Sequence, residues 1–389
     1  MRDVSIVGTG TTPFGVLGDG VIELGTKAVS RAIDASDIQR ADVDALYVGN
    51  FVGGILDGQG AIAPLVADSV GVTGVPAMTT EGACASSGIA FQQAYRAVAT
   101  GTHDVVVAAG VERMTDAETS EFTRALGSAM NARTEGRTGL TFPGFYGLYL
   151  DRYMHEFGAT REQVAQVAVK NRANGASNPR ARFREPITVE EVVESRPIAD
   201  PVRLYDCCPA ADGATAVVLT ARDIAPEYTD RPVDVLGVGH TTGRNAAYRY
   251  DDLLTMEATS TAAAEAYEMA GVGPDEVDLV ELHDCFTPAE ICDAEDLGFF
   301  EKGEGARAAA EGRTRVDGEL PVNPSGGLLA KGHPVGATGI GQIDEVCRQL
   351  RGNHENQVDG ASVGMTHNLG GSGVVCSVTL LGERGVADA

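Results

Sequence analysis

Asp3-Val4-Ser5-Ile6-Val7-Gly8, followed by Thr-rich turn residues, returns as Asp234-Val235-Leu236-Gly237-Val238-Gly239, which is also followed by Thr241-Thr242. Each run reads as a buried strand closed by glycine. A second echo pairs Val43-Asp44-Ala45-Leu46-Tyr47-Val48-Gly49-Asn50-Phe51 with Val277-Asp278-Leu279-Val280-Glu281-Leu282-His283-Asp284-Cys285-Phe286. Both follow an Ala-rich helical stretch and read as strands ending in a loop. A third pairs Cys84-Ala85-Ser86-Ser87-Gly88, ahead of a helical run 91–99 and a strand 103–110, with His333-Pro334-Val335-Gly336-Ala337-Thr338-Gly339, ahead of a helical run 343–350 and a strand 360–365. Three echoes in one order point to a duplicated α/β unit. They divide the chain into a first half, 1–228, and a second half, 229–389.

The first half carries an insertion over about 114–206, polar and irregular. One helix is predicted in it, near 161–173, with Thr160 as N-cap and Glu162 in its first turn. Arg172, Arg180, Arg182 and Arg184 form a basic island there, of a kind that can hold a polyphosphate or sit as a solvated surface run.

A length of 389 residues suits two core-forming units, at roughly 100–200 residues each. No apolar run approaches the ~20 residues that span a bilayer, and no stretch reads as a signal peptide. The expectation is a cytoplasmic protein. Seven scattered cysteines without CxxC spacing argue against a disulfide framework or a structural zinc site. The net charge is −25, and only four basic residues are lysine: Lys27, Lys170, Lys302 and Lys331. Such a surface argues against nucleic acid or anionic membrane as a partner. It suits a cytosol at molar salt, where the Debye length is about 3 Å, and hence a salt-loving source.

Cys84 lies among small residues at a predicted helix start, where unpaired N–H groups and the helix dipole favour a thiolate. Alone, such a cysteine is more often a buried structural residue. Three further segments change the balance: His283-Asp284-Cys285-Phe286, Gly332-His333-Pro334-Val335-Gly336-Ala337-Thr338-Gly339, and His367-Asn368-Leu369-Gly370-Gly371-Ser372-Gly373. Each follows a predicted strand or opens a helix, where ligand loops gather in α/β folds. The nucleophile would come from one half and the histidines from the other.

On these blocks the chain resembles the thiolases, which make or cleave 3-oxoacyl-CoA thioesters. The Gly-His-Pro block at 332–339 is the most specific match. The Cys84 segment follows, and Asp212-Gly213-Ala214 resembles the end of the family's inserted loop domain. The resemblance implies an α/β fold of five layers, αβαβα, made of two similar halves and assembled as homodimers or tetramers. One departure stands out. Most members carry a Cys-x-Gly near the C-terminus, whose cysteine is the second acid/base. Here Met365-Thr366-His367-Asn368-Leu369-Gly370-Gly371 holds no cysteine, and His283-Asp284-Cys285-Phe286 replaces an Asn-Glu-Ala-Phe. Both changes are typical of sterol-carrier-type and archaeal thiolases, which implies that Cys285 takes the missing role, with His367 as the alternative. The archaeal members also imply a small partner with a zinc ribbon and an OB-fold.

The implied chemistry is acyl transfer through Cys84, with His333 as its base and an imidazole titrating near ~6.5 suited to that work. His283 and His333 would hold the enolate oxygen, and the N–H groups of Cys84 and the Gly370-Gly371 loop the tetrahedral intermediate. Asn323, in Asn323-Pro324-Ser325-Gly326-Gly327, would shape a turn beside the site. Met154-His155 resembles the family's pantetheine-contacting stretch, and Arg182 and Arg184 are candidates for the CoA phosphates. Coenzyme A thioesters are the expected substrates, with no covalently bound cofactor and no metal. No role is assigned to Cys207, Cys208, Cys292, Cys347 or Cys376, the last two reading as core. Competing readings are a ketoacyl-synthase-like condensing enzyme and a non-catalytic acyl-CoA-binding subunit of a multi-enzyme complex.

Overall fold

A computed structural model describes residues 1–244 and 246–382. The final seven residues of the expected second half lie outside the described residues. The first half runs β1 (Val4–Thr11), α1 (Val21–Asp34), β2 (Ala45–Gly49), α2 (Gly53–Leu56), α3 (Ile62–Val70), β3 (Ala77–Thr80), α4 (Ser86–Ala99) and β4 (Val105–Glu112). Then come α5 (Thr119–Gly127), α6 (Glu135–Thr138), α7 (Phe142–Phe157), α8 (Arg161–Ser177), α9 (Val189–Glu194), the small hairpin β5 (Pro197–Ala199) and β6 (Val202–Arg203), and β7 (Gly213–Ala221). The rest is β8 (Val233–Thr242), α10 (Glu257–Ala270), β9 (Leu279–Glu281), α11 (Thr287–Asp296), α12 (Gly305–Ala310), α13 (Gly327–Lys331), α14 (Thr338–Leu350), β10 (Val363–Gly370) and β11 (Val375–Gly382).

Nine strands form one sheet in the order β3-β2-β4-β7-β1-β8-β11-β10-β9. Reading outward from the centre, β1-β7-β4-β2-β3 is answered by β8-β11-β10-β9 and a single parallel bridge between Val280 and Val322. The centre is a short antiparallel contact, Ser5 opposite Asp234 and Ile6 opposite Val233, with the Ser5 hydroxyl donating to Asp234 at 2.5 Å.

Period-two alternation sorts the strand side chains into layers. Val105, Val107, Ala216 and Val218 face α1 and α3 on one outer side. Val106 and Leu219, with Val235, Leu279 and Leu381 of the second half, enclose Phe91, Val98, Ile343 and Val346 of α4 and α14. Leu236, Val280, Met365 and Val378 face α10 and α11. Helix, strand, helix, strand, helix is the five-layer arrangement the resemblance implies. The glycines of the first echo have a packing reason. A Cβ on Gly8 would lie 2.2 Å from the Ala32 carbonyl oxygen, and one on Gly239 1.8 Å from that of Ala262. In each half glycine lets the first helix lie directly on its strand.

Two expectations are corrected. The insertion is not irregular, because 114–206 builds five helices, α5 to α9, and α8 itself extends to Ser177. Helix α7 hides behind a sequence rich in glycine and aromatics, which weigh against a helix. Its buried residues Phe145, Tyr146, Tyr149, Leu150 and Tyr153 nonetheless follow the helical period. That face packs onto the second half: Tyr146 stacks on Phe286 with ring centroids 4.6 Å apart, and the Tyr153 hydroxyl donates to Glu295 at 2.5 Å. The last strand of the third echo also begins later than expected, so His367 and Asn368 lie inside β10.

Candidate active site

Cys84 stands in a tight turn, Ala83–Ala85, just before α4. Ala83 takes a left-handed backbone, φ 52°, which costs an L-residue roughly 1–2 kcal/mol. Hydrogen bonds hold it there. The Ser86 hydroxyl donates to the Ala83 carbonyl at 2.6 Å and accepts from Gly82 N–H at 3.0 Å, and Ala83 N–H donates to Glu81 at 2.7 Å. The second half repeats the device with the turn Val335–Ala337 before α14. Gly336, not His333, is therefore the positional counterpart of Cys84. His333 sits three residues upstream, fixed by its N–H to the Pro209 carbonyl at 3.0 Å and by Nδ1 lying 2.7 Å from Thr338 Oγ1.

The halves bring their chemistry together. Cys84 Sγ and one ring nitrogen each of His283 and His333 lie within 4.8 Å of one another. The two imidazoles meet edge to face with centroids 4.9 Å apart. His333 Nε2 is buried without a hydrogen-bond partner. A soft divalent cation could span such donors. All three border a cavity of about 480 Å³ whose other walls include Phe51, Met114, Phe122, Leu126, Phe142 and Phe286. That apolar volume is of a size that suits an organic ligand.

Burial sets the electrostatics. It pushes the Cys84 thiol up to about 12; the Gly371 N–H pulls it back, Glu112 adds to the rise, and the Cys84 N–H opposes it. Against the expected helix-start thiolate, enclosure by protein outweighs the turn's N–H groups and favours the thiol. His283 falls to about 3 through burial, and His333 falls well below the usual range through burial and the neighbouring His283. Both rings are neutral at rest. The arrangement is a neutral cysteine–imidazole pair, which needs an arriving electrophile before the proton moves.

Cys285 lines the same cavity, and Cys208 N–H donates to its carbonyl at 3.0 Å. Burial, Cys208 and Cys84 push the Cys285 thiol well above its usual value, against a hydrogen bond from the Tyr146 hydroxyl. Cys207 and Cys208, given no role above, also border the cavity. Gly371, with φ 61°, lines it too, while a Cβ on Gly370 would strike the Gly82 carbonyl at 2.3 Å. The loop can thus lie against the nucleophile turn.

Other candidates sit elsewhere. His367 does not border the cavity: its Nδ1 accepts from His283 N–H at 3.4 Å and its Nε2 meets Thr259 at 2.9 Å, on the face towards α10. It holds the strand end that carries His283. Asn323, φ 52°, accepts from Leu282 N–H at 2.9 Å and donates to Glu290 at 2.9 Å, bracing that strand end from behind. Met154 and His155 lie at the far end of α7. Twelve residues, or roughly 18 Å of helix, separate Met154 from Phe142 at the cavity. The basic island is largely consumed. Arg172 is buried over Phe183, and Arg180 pairs with Asp344 and Glu345. Arg182 donates to the carbonyl of Ala210, a cavity residue, and Arg184 is exposed.

Sequence reasoning missed three residues. Glu112 ends the otherwise apolar β4, and a lone carboxyl in such a run was the available signal. It accepts from Asn50 Nδ2 at 2.7 Å and from the N–H groups of Phe51, Val52 and Gly336 at 2.9, 3.2 and 3.1 Å, tying the halves together beside Cys84. Burial lifts it to about 8 against those donors. Tyr146 had no signal beyond its place in an aromatic stripe. Asn368 was quoted with its segment but given no task. It donates to the Cys84 carbonyl at 3.0 Å and lies 3.4 Å from His283 Nδ1.

Residues 4–223 match the model of the thiolase N-terminal domain, and residues 239–383 that of the thiolase C-terminal domain-like family. An acetyl-CoA acetyltransferase of Methanothermobacter thermautotrophicus is 48% identical over 97% of this chain and 99% of its own. The benzoylsuccinyl-CoA thiolase subunit BbsB of Thauera aromatica is 37% identical over 95% of each. Among solved structures, an Ltp2-ChsH2(DUF35) aldolase superposes with a TM-score of 0.84 at 28% identity, covering 99% of each chain. With a cysteine and two histidines from opposite halves meeting at one cavity, and with both halves matched in sequence, the chain belongs to the thiolase family.

Proposed function

We propose that the protein is a CoA-dependent acyltransferase that works through an acyl-enzyme on Cys84. It condenses two acetyl-CoA to acetoacetyl-CoA, cleaves 3-oxoacyl-CoA with free CoA, or does both. The observation that carries this reading is the meeting of Cys84, His283 and His333 within 4.8 Å at an apolar cavity. In the first half-reaction Cys84 attacks the thioester carbonyl, its proton passes to His333, and CoA leaves as a thiol when His333 returns that proton. The N–H groups of Cys84 and Gly371, which bond the sulfur at rest, would turn to the oxyanion that forms on the attacked carbon beside it. In the second half-reaction the Cys285 thiol first passes its own proton to the neutral His333, and the resulting thiolate takes a proton from the α-carbon of a second thioester; His333 later returns that proton to Cys84. The enolate carbon then attacks the acyl group, and the Cys84 thiolate is released to be reprotonated. Cys285's place on the cavity wall and the Tyr146 hydroxyl on its sulfur support that role. His367, turned to Thr259, is the weaker candidate.

The reading divides the chain at 228/229, supported by the mirrored strand order. It includes cytoplasmic work as a homo-oligomer in a salt-loving archaeal cell, supported by the archaeal relative and the −25 charge. Among the described residues no helix is long and apolar enough to cross a membrane. Arg182 and Arg184 are the basic-island residues left to meet CoA phosphates. A small zinc-ribbon/OB-fold partner belongs to the reading as well, in keeping with a solved relative whose name includes a DUF35 component. That relative is named an aldolase, which raises a second reading: carbon–carbon cleavage without a covalent intermediate. The closeness of Cys84 to His333 favours the acyl-enzyme.

The test is thiolysis of acetoacetyl-CoA by the purified protein in high salt, with and without a candidate partner. Acetyl-CoA should form at the expense of free CoA, and the protein should gain one acetyl group at Cys84. Cleavage of a β-hydroxyacyl-CoA with no acylation of Cys84 supports the aldolase reading instead. No turnover and no acylation in either mixture defeats both.

A further inference from the structure

We propose that Asn368 is a positioning residue that locks His283 with its proton on Nε2, so that His283 serves as a fixed hydrogen-bond donor while His333 alone moves protons between the halves. The argument begins with the Cys84 carbonyl. It faces the Asn368 side chain at 3.0 Å, and a carbonyl can only accept, so the amide must present Nδ2 there. The flipped amide would set two oxygens against each other. Nδ2 carries two hydrogens and no usable lone pair. Its second hydrogen faces His283 Nδ1 at 3.4 Å, so that nitrogen must present its lone pair and the ring proton lies on Nε2. His283 borders the cavity, and Nε2 is the nitrogen left for it.

The amide is fixed through Nδ2 alone, its Oδ1 being buried without a hydrogen-bond partner. Its Oδ1 nests between the starts of α4 and α14, where a Cβ on Gly339 would lie 2.3 Å from it and one on Gly88 2.9 Å. The His283 backbone is pinned independently by its N–H to His367. His333 has a different kind of partner. The Thr338 hydroxyl, 2.7 Å from Nδ1 and 3.2 Å from the Pro334 carbonyl, can accept from the ring or donate to it. His333 is thus free to take up and release a proton through Nε2, while His283 is confined to one tautomer. A fixed N–H aimed at a thioester oxygen can stabilise charge there without reorganising during the reaction.

The inference rests on the thiolase reading for the reaction it serves, but the lock itself is read without substrate. Protein labelled with 15N-histidine, free of ligand, is followed by long-range 1H–15N spectra from pH 6 to 8, with His283→Gln to assign the ring. The expected pattern for His283 is a neutral Nε2–H imidazole throughout. Asn368→Asp puts an acceptor beside Nδ1 and should move the proton to Nδ1 or charge the ring. Its kcat should fall roughly 100-fold, as for loss of one preorganised donor, with the larger share of the loss in kcat rather than KM. A wild-type His283 with its proton on Nδ1, or an Asn368→Asp enzyme that keeps Nε2–H and normal kcat, overturns the lock. Should Asn368→Asp fail to fold, the wild-type spectrum alone decides. Acetylation of Cys84 by acetyl-CoA, measured by mass on the same sample, reports separately on the thiolase reading.

Discussion

The turn Ala83–Ala85 and the turn Val335–Ala337 are the same structural device put to different ends. Each ends a loop, starts a long helix of the middle layer, and points its backbone at the boundary between halves. One places a thiol at the cavity. The other places glycine at the matching position and leaves His333, three residues earlier, to supply the imidazole. The repeated turn thus gives the nucleophile of one half an imidazole partner from the other. The contrast extends to electrostatics, because burial that favours the thiol also favours neutral imidazoles, leaving His333 ready to accept.

Removing the distinctive residue of each turn should have the largest effects. Cys84→Ala should lower kcat by roughly 10⁴-fold or more and abolish acetylation by acetyl-CoA, since Cys84 is the cavity thiol grouped with His283 and His333. His333→Ala should cost roughly 10²–10⁴-fold in the rate of acylation, followed by mass or by CoA release. The next effect lies behind the second turn. Glu345 of α14 meets Arg180, Lys331, Arg348 and His354 in a buried cluster. Burial works to raise its carboxyl, but Arg180 and Lys331 hold it well below the usual range. A depressed carboxylate stabilises the fold fully above about pH 4.5, and that contribution is lost as pH falls through its folded value. Glu345→Gln should cost about 3–5 kcal/mol in urea unfolding at pH 7 and flatten the acid limb of the stability curve. A smaller loss tests the helix crossing. A Cβ on Gly339 would approach Gly88 N at 2.7 Å as well as Asn368, so Gly339→Ala should destabilise by about 1–3 kcal/mol. Smallest is Thr160→Ala, which removes the N-cap bond to Gln163 far from the boundary and should cost about 1 kcal/mol with kcat unchanged.

Much of this was legible in the residues. The echo of Asp3–Gly8 at Asp234–Gly239 was visible because helix-on-strand contact demands glycine in both copies, and that demand leaves a mark in sequence. Cys84, His283, Cys285 and His333 stood out because reactive side chains among glycines are poor core material. Helix α7 escaped because its propensities point away from a helix and only tertiary burial of its aromatic stripe overrides them. Asn368 and Glu112 escaped because their work is defined by partners more than 60 residues away, Cys84 for one and Gly336 for the other. The pull of burial on the Cys84 thiol is hidden for a related reason. A helix start can be recognised in sequence, but the depth of burial that overrides its field cannot.

The central claim is that the two halves meet as a neutral thiol–imidazole pair rather than a preformed ion pair. The pH dependence of Cys84 alkylation by iodoacetamide, followed by mass at that residue in wild-type and His333→Ala protein, tests it most directly. The account predicts a rate that climbs steadily from pH 6 to 9 in both proteins with no plateau near neutrality. A fast, pH-independent plateau around pH 6–8 that disappears in His333→Ala would reveal a resting thiolate–imidazolium pair and contradict it.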